Sequence, residues 1–201
     1  AWLLKTLVKK RVKIAQQNIA LCFPDMPVAE QQALLKKHLV TAGMGLFETA
    51  IGWWWPDWRL RRILQVEGAE HIAAIQAQGK GVLALGIHNV NIETGCRNLG
   101  LFRKSVAFYR PHNNPLMDYI QFRGRARSNE FLIDKRSSRA LLHALDQGKL
   151  CAYMPDQDYG PRGAVFVPFF AVDEAATTSA TLMFARRANC IPLMLSTQVT
   201  D

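Results

Sequence analysis

His88 and Glu93 are the pair in this chain whose types and spacing best suit the movement of a proton. They lie in the segment Gly81-Val-Leu-Ala-Leu-Gly-Ile-His88-Asn-Val-Asn-Ile-Glu93. Its continuous apolar run reads as a buried strand, with the His at the carboxy-terminal end and a helix to follow. In open α/β sheets that end of a strand is where ligands bind. Deep within one helix, five steps of about 100° would leave the two side chains roughly 140° apart. The spacing therefore predicts His88 just before the helix and Glu93 in its first turns, from where the carboxylate reaches back to one imidazole nitrogen. So placed, Glu93 fixes the tautomer of His88 and stabilises its protonated form, and the other ring nitrogen acts as general base towards an attacking hydroxyl. Taken by itself, a His near a strand end is more often a satisfied polar residue.

Other residues offer binding chemistry. Arg110 follows the apolar run Ser105 to Tyr109. A guanidinium there holds a phosphate or carboxylate through two parallel hydrogen bonds, or else is a solvated surface arginine. Pro111, Asn113, Asn114 and Pro115 make the segment a fixed turn and favour the first reading. Arg123, Arg125 and Arg127 alternate with small residues, which suits a solvated helix side as well as a ligand contact. Asp156 and Asp158 sit on a Gly- and Pro-rich loop after a strand. That placement suits ordering an arginine, a sugar hydroxyl or the catalytic His, and also suits capping a turn. Arg162, on the same loop, is a further candidate.

The elements that must position these residues follow from the pattern of apolar positions. From Trp2 to Leu21 apolar residues recur at helical spacing with Lys5, Lys9, Lys10, Arg11 and Lys13 between them, which predicts a basic amphipathic helix ending at Phe23-Pro24. A second helix starts after Pro27 with Glu30 in its first turn, and runs towards Trp53-Trp54-Trp55, where Pro56 stops it. Beyond Ile63, strands at Gly81–Ile87, Ser105–Tyr109, Phe131–Asp134, Leu150–Met154 and Ile191–Val199 alternate with helices near 69–78, 91–101, 114–127, 136–147 and 177–189. This predicts an α/β fold, a central, mostly parallel sheet flanked by helices, behind a helical amino-terminal segment. A single domain is expected, with residues 1–62 helical and membrane-associating and residues 63–201 as the catalytic core.

Composition narrows the partners. The chain has 201 residues, 49% apolar and 20% charged, enough for a sizeable core. A net charge of +9 points to an anionic partner such as nucleic acid, phospholipid headgroups or a phosphorylated glycolipid. Cys22, Cys96, Cys151 and Cys190 are scattered without metal or CxxC spacing and read as reduced, buried thiols. No transmembrane span or signal peptide is read within the sequence, and the Ala start and the stop after an apolar run read as a fragment. Trp53, Trp54, Trp55 and Trp58 beside Arg59, Arg61 and Arg62 suit a lipid interface, with one or two rings in the core.

The His-x4-acid pattern resembles the signature of the glycerolipid acyltransferase superfamily, and further blocks follow in that family's order. Phe108-Tyr-Arg-Pro-His-Asn-Asn-Pro115, Arg123-Gly-Arg-Ala-Arg-Ser-Asn129, Pro155-Asp-Gln-Asp-Tyr-Gly-Pro161 and Phe166-Val-Pro-Phe-Phe-Ala-Val172 with Ala176-Thr-Thr178 are similar to the lipid A late acyltransferases, in their lauroyl and palmitoleoyl branch. Asn18 to Asp25 and Gly52 to Asp57 share that resemblance, which covers essentially the whole chain. It implies a fold like the glycerolipid acyltransferases, location on the cytoplasmic face of the inner membrane, and acyl transfer from acyl carrier protein to a hydroxyacyl group of a Kdo-bearing lipid A precursor. It also implies His88 as base oriented by Glu93, no bound cofactor or metal, and substrate contacts from Arg110, Arg125, Asp156, Asp158 and Arg162. Family members usually carry an amino-terminal anchor and a further carboxy-terminal portion. Asn89 and Asn91 depart from the pattern, which is mostly apolar or aromatic after the His.

Rival readings have less support. No recognised nucleic-acid motif accompanies the dispersed basic residues, so no nucleic-acid partner is expected. G-x-S-x-G, H-E-x-x-H and G-x-G-x-x-G after a strand are all absent. A lysophospholipid acyltransferase would use the same His and Glu; the blocks around Arg110 and Asp156 favour lipid A.

Overall fold

Strands buried on both faces need continuous apolar sequence, and the runs identified above form a parallel sheet for that reason. The computed structural model describes residues 9–198; the part of the predicted first helix from Trp2 to Val8 and the end of the last predicted strand at Val199 lie outside them. In chain order the elements are α1 (Lys9–Cys22), α2 (Val28–Trp54), the single turn α3 (Asp57–Leu60), α4 (Ala69–Ala77), β1 (Gly81–Leu85), α5 (Ile92–Phe102), β2 (Ser105–Tyr109) and α6 (Pro115–Ala126). There follow β3 (Asn129–Asp134), α7 (Ser138–Asp146), β4 (Leu150–Tyr153), β5 (Ala164–Phe169), β6 (Val172–Thr178), α8 (Ala180–Arg187) and β7 (Cys190–Met194).

The chain divides into two compact units. One holds Glu48–Gln157 and the chain from Ser179 onward. Its sheet has the order β3-β2-β4-β1-β7, every pair parallel. Alternate residues of β1 face opposite ways, so the core has two halves. Leu83 joins Val106 and Cys151 beneath Leu141, Ala144 and Leu145 of α7 and Phe184 of α8. Val82 and Ala84 pack with Leu150 against Ile72 and Ile75 of α4 and Leu99 of α5. Fully burying a Leu or Val side chain stabilises by about 1.5–3 kcal/mol, so β1, with both faces covered, is the best-anchored strand.

The other unit comprises the chain up to Phe47 with Asp158–Thr178. α1 buries none of its residues, whereas α2 buries Leu35 and Leu39. The turn between these helices is held by Gln31, whose Nε2 donates to the Phe23 and Met26 carbonyls at 3.0 Å each. β5 and β6 form an antiparallel hairpin that sequence reading did not anticipate. Pro168 interrupts the apolar run at the register irregularity, and a proline without an N–H fits a ladder only at such a place. The hairpin turn meets the end of α1, with the Ala171 amide donating to the Cys22 carbonyl at 3.3 Å and the Phe23 and Phe170 rings 4.9 Å apart.

The four cysteines are free thiols, but full burial holds for Cys151 alone; Cys22, Cys96 and Cys190 are half-buried. Gly81, at the start of β1, lies against the end of α7, where a Cβ would collide with the Leu145 carbonyl. Overpacking of this kind costs about 1–3 kcal/mol. Gly81→Ala should therefore lower the thermal midpoint by about 3–10 °C, read by differential scanning calorimetry.

Candidate active site

The pairing of β1 with β4 delivers two polar residues to one point. Leu85 stands opposite Tyr153, and the Gly86 amide continues the ladder by donating to the Tyr153 carbonyl at 3.0 Å. Three residues beyond each partner come His88 and Asp156. Asp156 Oδ2 accepts from the His88 backbone amide at 2.7 Å, and its Oδ1 lies 2.7 Å from Nδ1 of the His88 ring. Burial alone would raise the Asp156 carboxyl, but the His88 amide and ring outweigh it and hold the group below its usual range. The carboxylate is thus ionised at neutral pH and can only accept, so Nδ1 carries the hydrogen and Nε2 presents a lone pair. With 40% of its side chain exposed, His88 is open to a substrate.

The expectation that Glu93 reaches back to His88 is corrected by this geometry. Glu93 does lie in the first turn of α5, but its carboxylate points across to α6 and α2. Oε1 accepts from Nη2 and Nε of Arg125 at 2.5 and 3.0 Å, and Oε2 accepts from the Trp53 indole at 2.7 Å. A guanidinium offers two N–H groups to one carboxylate oxygen and the indole serves the other, and a carboxylate with 14% of its side chain exposed needs such partners. Asp156 takes the place at His88, one of the roles that its loop allowed.

Three arginines at alternate positions meet three different fates. Arg123 lies over the Tyr119 ring at 5.9 Å. Arg125 spends two of its three guanidinium nitrogens on Glu93. Arg127 donates to the Trp53 and Trp55 carbonyls at 2.6 and 2.9 Å, satisfying acceptors that the end of α2 leaves open. It also meets Asp57 at 3.0 Å, which pairs in turn with buried Arg97.

Arg110 is exposed just past the end of β2, the strand beside β4, and no hydrogen bond or ion pair holds it among the described residues. Its loop is firmly tied. Asp118 accepts from the Tyr109 hydroxyl at 2.5 Å and from the His112 amide at 2.7 Å, and Asn114 caps α6 by accepting from the Leu116 and Met117 amides at 3.0 and 3.2 Å. Burial, then the bond to Asp118, pushes the Tyr109 hydroxyl up to about 12, so it stays a donor at neutral pH. Asp158 and Arg162 belong to the other unit. Asp158 accepts from the Gly160 amide at 2.6 Å, the turn-capping alternative, and Arg162 is exposed.

Sequence reasoning missed the partners of two asparagines. Asn89 and Asn91, the departures from the family pattern, both bind the Thr197 hydroxyl just past β7. The Thr197 methyl packs where Gly95 has no side chain, and this lock forms one wall of a cavity of about 400 Å³ also lined by Leu64, Asn98 and Leu195. The sole sequence signal was the departure itself. Cys96, one turn beyond Glu93, is disfavoured as a thiolate: burial, then the Glu93 charge, pushes its thiol up to about 11.

A parallel α/β sheet that presents a carboxylate-held His at its carboxy-terminal rim defines a protein equipped for proton transfer at the strand ends. Its sequence places it further, since residues 1–198 match the family described as bacterial lipid A biosynthesis acyltransferase. The lipid A biosynthesis lauroyltransferase of Escherichia coli K12 is 45% identical over 179 residues, 89% of this chain and 58% of that protein. The palmitoleoyltransferase of the same strain is 39% identical over 192 residues, 96% of this chain and 63% of that protein. A lipid A biosynthesis acyltransferase of Haemophilus influenzae is 40% identical over 171 residues, 85% of this chain and 54% of that protein. The chain belongs to this family and spans between about half and two thirds of the length of these relatives.

The lowered Asp156 carboxyl has a defined acid limit. Its ionisation stabilises fully above the ordinary carboxylate value of about 3.9 and is lost as pH falls through the lower folded value. The gap in thermal midpoint between the protein and Asp156→Asn should narrow as the pH drops below about 4.

Proposed function

We propose that the protein transfers a fatty acyl chain from an acyl carrier protein thioester to a hydroxyacyl group of a Kdo-bearing lipid A precursor, with His88 as general base. The observation that carries this reading is the grip of Asp156 on His88, in a chain of the lipid A acyltransferase family. With Nδ1–H held by the carboxylate, Nε2 takes the proton of the acceptor hydroxyl as its oxygen attacks the thioester carbonyl. The tetrahedral intermediate collapses with cleavage of the carbon–sulfur bond, and the proton passes from Nε2 to the departing phosphopantetheine thiolate. The ester and free carrier thiol result, without an acyl-enzyme; the raised thiol of Cys96 accords with direct transfer.

In this reading Asp156 orients and stabilises the imidazolium, the role first assigned to Glu93. Glu93 fastens the turn after His88 to α6 through Arg125. Exposed Arg110 suits one of the phosphates carried by acceptor or donor, as a fork held on a tied loop. For Asp158 and Arg162 a substrate-binding role rests on the resemblance alone.

The protein acts at the cytoplasmic face of the inner membrane. Among the described residues no helix is long and apolar enough to cross a bilayer. Surface attachment is supported by α1, where Lys9, Lys10, Arg11 and Lys13 occur without an acidic residue, and by Trp54 and Trp58, which are 50% and 59% exposed. Each basic residue near an anionic surface contributes about 1 kcal/mol, so neutralising any one should weaken binding to anionic vesicles roughly fivefold in a flotation assay.

Mass spectrometry of the precursor after incubation with acyl carrier protein thioester tests the chemistry. The full native chain should add one acyl chain, and His88→Ala should lower turnover by about 10²- to 10⁴-fold. Acylation of lysophospholipid in place of this acceptor would move the protein to another branch, and undiminished turnover in His88→Ala would remove the base.

A further inference from the structure

We propose that Trp53 is a positioning residue of the active site, acting through Glu93; this rests on the function proposed above. The sequence places Trp53 in an aromatic cluster that suits a lipid interface with one or two of its rings in the core. Trp54 fits that description, but the Trp53 indole turns inward and donates to Glu93 Oε2 at 2.7 Å.

The contact is constrained from three sides. The Trp53 ring packs against Gly124 of α6, where any Cβ would strike the indole, so that glycine makes room for the ring. The Trp53 backbone is pinned through its carbonyl, which accepts from Arg127 at 2.6 Å. Gly52 completes the fit, since a Cβ there would press on the Glu93 carbonyl at 3.2 Å. A surface tryptophan that met a carboxylate by chance would show none of this accommodation.

The indole also fills a particular need. Arg125 serves Oε1 with two short bonds, but reaches Oε2 only through Nε at 3.4 Å. Trp53 supplies the one short bond to Oε2. Without it the carboxylate rotates about its arginine, and the first turn of α5 loosens where it joins the His88 loop. The His88 loop then loses the firm support of α5, and the imidazole that Asp156 holds is less well placed. Trp53 touches no reacting atom, so its loss should appear in turnover rather than in substrate affinity.

The test measures kcat and KM for acyl transfer from acyl carrier protein thioester to the lipid A precursor, in the full native chain, for Trp53→Phe, Glu93→Gln, the double variant and His88→Ala. Trp53→Phe keeps an aromatic ring on Gly124 and removes the N–H. It should lower kcat about tenfold with KM changed less than about twofold, as expected for one lost bond to a charged group. In the Glu93→Gln background the same change should have little further effect, because the two residues act as a unit. Should Trp53→Phe fail to fold, benzothienylalanine at position 53, with the indole shape but no N–H, replaces it. Wild-type kcat in a folded variant lacking the N–H, or an equal loss with and without Glu93, overturns the role of Trp53 while a dead His88→Ala leaves the base in place. Undiminished turnover in His88→Ala overturns the reading of the site, and the positioning role with it.

Discussion

The parallel register of β1 on β4 is the constraint from which the site follows. Leu85 faces Tyr153, and each strand then runs three residues further before its functional side chain appears. A slip of one residue would turn every side chain of β1 to the opposite face, exchanging Leu83 for Val82 and Ala84 in the two halves of the core. That exchange is forbidden by burial, so the packing of Val82, Leu83 and Ala84 fixes where His88 and Asp156 meet. The geometry of this pair is thereby tied to the best-buried part of the fold, and the 2.7 Å contacts at the rim need no flexible loop to search for one another.

A second constraint is the desolvation of Glu93. A shielded carboxylate is costly unless its oxygens are satisfied, and here the donors come from two elements distant in sequence, α6 and the end of α2. The arrangement is mutual, because α2 ends with open carbonyls and Arg127, two residues beyond the arginine that holds Glu93, closes them. One short arginine-rich stretch therefore secures both the carboxylate and the helix that supplies its third donor. The glycines at 52 and 124 permit the approach by having no side chain to obstruct it.

Much of this fold was legible in the sequence, for a physical reason. Strands covered on both faces must be apolar throughout, so β1, β2 and β4 announced themselves, and Pro24, Pro27 and Pro56 marked where helices cannot continue. The β5–β6 hairpin did not, since Phe166, Val167, Phe169 and Phe170 are exposed and Pro168 breaks the alternation from which a strand is read. At the site, the position of His88 just past the end of a strand was legible, whereas the partner of Glu93 was not. Proximity along the chain favoured His88, five residues away, but the bonds formed reach Arg125 and Trp53, 32 and 40 residues distant. Such pairings are decided by which helices pack together, and helix periodicity carries no record of that. The tryptophan cluster was legible only in part for the same reason: composition suited an interface and allowed one or two rings a place in the core, but which ring takes which face is set by tertiary contacts.

The contrast between Arg110 and Arg125 shows how burial sorts residues of one type into different work. Both stand in blocks that resemble the lipid A acyltransferases, and both suit anion binding by chemistry. Arg125 already has its anion within the protein, in a shielded pair whose disruption would leave Glu93 uncompensated, so its contribution is to hold geometry. Arg110 has none among the described residues, yet its loop is held by Tyr109, Asp118 and Asn114 as firmly as a structural residue would require. Fixing a loop costs conformational entropy, and exposing a charge there gains little for stability. An exposed guanidinium on an ordered loop beyond the strand next to β4 has the fixed geometry that the phosphate contact proposed for it above requires, and the fold makes no other use of it among the described residues.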